Sequence, residues 1–161
     1  MDKNKIVIEY LLGCPQLASN SLFFNAATGK DESKQIVTMG DDKRLQQPFI
    51  DGSVLKRYTF TIIDYKSISY QPIVKKVGSV EKNENVSDML DTQGIIDWIT
   101  EQNEDHIYPD FGEDCIVEQI QTTTEDPNLN GIDTSTNPPL AKYSISIQID
   151  YMDYSKVPWK K

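Results

Sequence analysis

Chemistry-bearing side chains crowd into one short stretch of this chain, EQNEDHIYPDFGEDC (101–115), which holds six carboxylates, the only histidine and one of the two cysteines. Three kinds of chemistry use such residues. A metal site would draw on Asp105, His106, Asp110, Glu113, Asp114 and Cys115. Zinc sites, however, space their ligands in patterns such as C-x-x-C or H-E-x-x-H, and neither pattern occurs here. A calcium loop needs glycine at its sixth place, and counting from Asp105 puts Asp110 there. Acid–base catalysis needs two carboxylates whose surroundings push their pKa values apart. That demands burial, whereas the flanks of this stretch are turn-like. A nucleophile pair would join Cys115 to His106, nine residues away, but neither lies in a nucleophile motif. Cys115 also opens a strand on the same side as Val117, as a core thiol would. The chain has no G-x-S-x-G elbow, Walker A loop or G-x-G-x-x-G turn. The stretch therefore reads as a solvated helix end (EQNED), a turn fixed by Pro109 and anchored by Phe111, and a strand entry at Cys115. No catalytic residue, metal or cofactor is expected.

The elements that hold this stretch follow from hydrophobic periodicity. Ile6, Val7, Tyr10 and Leu11 share one face of a helix over residues 3–12, with Gly13 and Pro15 as its stop. SLFFNAAT (21–28) reads as a strand and KQIVTM (34–39) as its hairpin partner. Residues 40–52 read as a loop with at most a short strand, and 53–67 as a long strand with Val54, Tyr58, Phe60 and Ile62 on one face. A charged linker, 77–88, leads to a second helix capped by Ser87 or Asn85, with Met89, Ile96 and Ile99 on its stripe and Ile95 and Trp98 beside them. Gly94 weakens that helix by up to about 1 kcal/mol against alanine, so packing must hold it. Residues 113–124 read as a strand and 125–139 as a loop. The last strand, 140–154, alternates Tyr143, Ile145, Ile147, Ile149 and Tyr151 with polar residues, so one of its sides faces a core. The expected fold is α+β: one antiparallel or mixed sheet with two main helices packed on one face, in a single domain spanning 1–161.

Composition narrows the function classes. The chain is 38% hydrophobic and 25% charged, as folded domains are. Its net charge of −9 argues against phosphate-backbone binding as the main task. No apolar run approaches the roughly 18–20 residues that span a bilayer. The N-terminal stretch MDKNKIVIEYLLGCPQ is broken by Asp2 and Glu9, so it reads as the opening helix of a cytoplasmic protein and not as a signal peptide. Cys14 and Cys115 read as free thiols. Tyr151, Tyr154 and Trp159, with Phe111, are candidates for a protein interface, though Tyr151 serves equally well as core closure.

The run YPDFGEDCIVEQIQ, followed by PNLNGIDTSTNPPLAKYSISIQIDYMDYSK, resembles small proteins of long-tailed phages and prophages of Gram-positive bacteria. These are minor capsid or tail proteins of the tail-terminator (tail-completion) kind. The resemblance is most specific over residues 86–156, through DWI-x-EQN, PDFGE-x-C and the final LAKYS strand, while residues 1–85 fit only in the order of their elements. It implies a structural subunit that forms a ring, usually a hexamer, at the head-proximal end of a tail tube. Such a ring ends tube growth, meets neck or head-completion proteins and, in a contractile particle, the last sheath ring. DNA passes through its lumen without sequence-specific binding. The place implied is a virion or phage-tail-like particle, assembled in the host cytoplasm. Alternatives are a neck or head–tail connector ring and, from another class, a small metal-dependent hydrolase using Asp105, His106, Asp110 and Asp114.

Overall fold

The computed structural model describes residues 2–18, 21–24, 33–68, 75–76, 79–80, 84–135, 137 and 139–158. The architecture is α+β. Two 14-residue strands, β4 (Val54–Ser67) and β9 (Leu140–Asp153), pair antiparallel along their whole length, from Val54 opposite Asp153 to Ser67 opposite Leu140. They form the centre of a seven-stranded sheet. On the outer side of β4 lie β2 (Ser33–Asp41) and the short β3 (Gln47–Pro48), with β1 (Ser21–Phe24) beyond β2. On the outer side of β9 lie β7 (Cys115–Thr122) and β8 (Asn128–Asp133), both paired directly with it, β7 along 147–153 and β8 along 140–144. A separate two-residue ladder joins β5 (Lys75–Lys76) to β6 (Ser79–Val80).

The helices follow from local chemistry. α1 (Lys3–Leu11) begins where the Asp2 carboxylate accepts the N–H groups of Asn4 and Lys5, an N-cap that satisfies otherwise orphaned donors. Pro15 does not simply end the helical path. It opens a single further turn, α2 (Pro15–Ala18), as proline can at a first helical position. α3 runs from Glu84 to Glu104. It begins earlier than its sequence signals, so Asn85 and Ser87 lie inside it and do not cap it. Gly94 leaves room for α2, since a Cβ there would stand 2.5 Å from the side-chain amide of Gln16.

One apolar cluster joins the helices to a single face of the sheet. Val7 and Leu11 of α1 and Ile95, Ile96 and Ile99 of α3 pack on Tyr58, Phe60 and Ile62 of β4 and on the alternating Ile145, Ile147, Ile149 and Tyr151 of β9. Trp98 closes the seam between the helices against Tyr10, ring centroids 5.3 Å apart. The other face of the central strands carries Thr59, Thr61, Ser146 and Gln148, as the period of two requires.

Two strand expectations are corrected. β1 pairs with β2 in parallel, Ser21 beside Ser33 and Phe24 beside Ile36, so the two do not form a hairpin. Turn-forming residues report that the chain bends, not the direction in which it returns, and a parallel partner cannot be reached by a tight turn. Residues 25–32, which make this connection, lie outside the described residues. In 125–139, read as a loop, the segment NLNGID forms β8 against β9. Asparagine and glycine hide it by their low strand propensity. The pairing slips between Leu129 and Ile132, where Gly131 holds a φ of +126° that other residues rarely adopt.

Candidate functional site

The acidic stretch 101–115 is a structural junction. α3 ends in a Schellman motif: the Ile107 N–H donates to the Gln102 carbonyl (2.9 Å) and the His106 N–H to the Asn103 carbonyl (3.3 Å). The lone histidine occupies the left-handed position of this cap, with a φ of 55°, where glycine is the usual residue. Its ring lies on the surface, with Nδ1 3.0 Å from the Tyr108 hydroxyl. The Asn103 side-chain oxygen accepts the Ile120 N–H of β7 (3.0 Å), and the Tyr10 hydroxyl of α1 donates to the Ile107 carbonyl (2.8 Å). Asp110 accepts the Gly112 N–H (2.9 Å), tightening the turn that delivers Cys115 to β7. The Tyr154 N–H then donates to the Asp114 carbonyl (2.7 Å) and ties the end of β9 to this turn.

Phe111 and Tyr151 are core residues and are not exposed, as an interface pair would have to be. Phe111 is 2% exposed and packs edge-on against Tyr151, which is fully buried, at 5.1 Å between centroids. Tyr58 is the third ring of this group. Burial pushes the Tyr151 hydroxyl far above its usual range, and the Asp41 carboxylate that accepts its hydrogen bond pushes the same way. Burial likewise raises Tyr58 to about 12. Tyr154 is half-buried, and Trp159 lies outside the described residues.

Asp105, His106, Asp110 and Asp114 are all exposed. Among the described residues, no group of three or more histidine, cysteine, aspartate or glutamate side chains is arranged to hold a metal ion. A cleft of about 260 Å³ does lie beside the 111–115 turn, lined by Lys3, Glu113, Cys115, Asp153 and Ser155 among others. It is smaller than the roughly 300–1,000 Å³ of small-molecule sites. Two of its charges are also committed: Lys3 to Asp41 (3.0 Å) and Asp153 to Lys56 (2.8 Å). Partial burial acts to raise the Asp153 carboxyl, but hydrogen bonds from Lys56 and Ser155 outweigh it and bring the pKa down to about 2. Both cysteines are free thiols, and burial raises the pKa of each.

Sequence reasoning missed a different charged group. Lys34, Asp64 and Lys66 lie at 0%, 0% and 2% exposure between the sheet and the N-terminal half of α3. Lys34 sits 3.6 Å from Asp64, Lys66 sits 3.1 Å from Asp91, and the Thr92 hydroxyl donates to Asp64 (2.8 Å). Burial nevertheless raises the Asp64 carboxyl above its usual range, against the pull of both lysines. The signal was present in the pattern: Asp64 and Lys66 continue the even-numbered face of Tyr58, Phe60 and Ile62, and Lys34 is in phase with Ile36.

The surface offers two further features, at opposite corners of the sheet. The segment after β2 exposes Leu45, Phe49 and Ile50 around β3, which pairs with the start of β4. β8 exposes Leu129 and Ile132 beside the start of β9. Because Val54 pairs with Asp153 and Ser67 with Leu140, these patches differ in both edge and end. They stand roughly 30 Å apart along the strands, at about 3.3 Å per residue.

No family model and no curated protein matches this chain. No helix among the described residues is long and apolar enough to cross a membrane.

Proposed function

We propose that this chain is the subunit of a ring that assembles at the head-proximal end of a phage or phage-like tail tube, ends its growth and joins it to the neck. The observation that carries this reading is the pair of unlike apolar patches at diagonal corners of the sheet. A ring is closed by heterologous contacts, in which each subunit offers two different surfaces, and a rigid sheet between them fixes the angle from one subunit to the next. The resemblance over residues 86–156 supports the same reading. So does the net charge of −9, which would keep DNA phosphates from adhering to a ring they must pass through.

The partners that follow are further copies of the chain in a hexamer, the tube protein, a neck or head-completion protein and, in a contractile particle, the sheath. A connector ring would share the subunit contacts and differ in what it caps. Native mass spectrometry of the full chain across a concentration range tests the assembly. A discrete closed oligomer of six is expected. A monomer at every concentration, with a hydrolytic activity abolished by chelation, would overturn the reading in favour of a metal-dependent hydrolase.

A further inference from the structure

The two corners differ in charge as well as position. In a chain of net charge −9, Lys43 and Arg44 are adjacent and exposed beside Leu45, Phe49 and Ile50. Asp42 pairs with Arg44 at 3.0 Å and Asp51 follows Ile50, so the cations of this corner are concentrated at the start of the segment, at Lys43 and Arg44. At the other corner Glu125 and Asp126 are exposed beside Leu129 and Ile132. Asp133 stands at the end of the same strand, held by the Ser135 hydroxyl and amide. β8 pairs with β9 only, so its outer edge meets no strand among the described residues.

We propose that a second copy of this chain occupies the β8 corner, seating its 43–50 segment there. Phe49 and Ile50 of one copy would cover Leu129 and Ile132 of the next, while Lys43 and Arg44 face Glu125 and Asp126. Charge disfavours the symmetric alternatives. A 43–50 segment against its own twin would set cations on cations, and β8 against β8 would set carboxylates on carboxylates; like-charge juxtaposition is disfavoured at an interface. The head-to-tail arrangement sets Lys43 and Arg44 against Glu125 and Asp126, and it is the arrangement that propagates around a ring. This contact rests on the assembly reading above and specifies its surfaces.

A charge-exchange experiment tests it. One full-length variant carries Lys43→Glu and Arg44→Glu, and another carries Glu125→Lys and Asp126→Lys. All four positions are exposed, and thermal melts check that both variants fold. Each variant alone is expected to self-associate at least about tenfold more weakly than the native chain, through like-charge repulsion at the contact. An equimolar mixture should recover the native oligomer with the two variants alternating, because each then meets its opposite charge. If either variant keeps the native oligomer, or if the mixture does not recover it, the contact is wrong while a ring reading can stand. If the native chain itself never associates, the assembly reading fails and takes the contact with it.

Discussion

Two charged regions of this protein invert each other. The segment 101–115 gathers its carboxylates in sequence, yet in the fold they sit on the surface, and its contribution lies in a helix cap, a backbone turn and one buried ring. Lys34, Asp64, Lys66 and Asp91 are scattered over almost sixty residues, yet the fold brings them together between sheet and helix with three of the four buried. Desolvation, not local density of charge, sets what a charge costs. A charge-rich loop is thermodynamically cheap, and a single buried carboxylate between lysines is not.

Breaking the comparison at its strongest point means removing Asp64. Asp64→Ala removes the buried carboxylate paired with Lys34, leaving that lysine the more distant Asp91 at 3.9 Å, and is expected to cost about 3–5 kcal/mol in urea unfolding. The same change at Asp105 should stay within about 0.5 kcal/mol, as surface substitutions do. If the two losses were alike, the contrast between the regions would fall. Within 101–115 the largest effect belongs to Phe111. Phe111→Ala empties the site between Tyr58 and Tyr151 and should cost about 3–4 kcal/mol, measured the same way.

Acid titration sharpens the comparison because the two aspartates carry opposite signs. Asp153 has a folded pKa of about 2, below its unfolded value, so its stabilisation is complete above the unfolded pKa and is lost as pH falls toward 2. That is about 2 kcal/mol at 1.36 kcal/mol per pH unit. Lys56→Ala should remove part of this loss from the acid limb of a stability–pH curve, the hydrogen bonds from Ser155 keeping the rest. Asp64 has a raised folded pKa, so its contribution grows as pH falls through that value, and Asp64→Asn should flatten this opposing trend. The smallest effect is a gain. His106→Gly relieves a left-handed backbone and should stabilise the protein by about 1 kcal/mol in thermal melts, unless the Tyr108 contact matters more than the backbone.

The central strands were legible because β4 over 57–62 and β9 over 142–151 alternate apolar and polar residues, a period that no helix can mimic. α1 was legible from its stripe and its stop. The end of α3 was legible at EQNED even though a histidine took the place of the glycine that signals such a cap, whereas its start at Glu84 lay inside what read as a charged linker. β8 was hidden by its asparagines, and the direction of β1 by the fact that turn residues carry no information about pairing sense. The buried ions were legible in phase alone: a charged residue on an apolar face is discounted unless the stripe is followed past the last hydrophobic side chain. The corner patches needed the register, since only the pairing of Val54 with Asp153 shows that they are diagonal.

That this chain ends the growth of a tail tube is tested most directly by adding the purified protein to polymerising tubes of the same particle's tube protein and measuring tube lengths by electron microscopy. The expected result is a ring of density at one end of each tube and a length that stops increasing once the ring is bound. Tubes with bare ends that grow as long as those without the protein would contradict the claim.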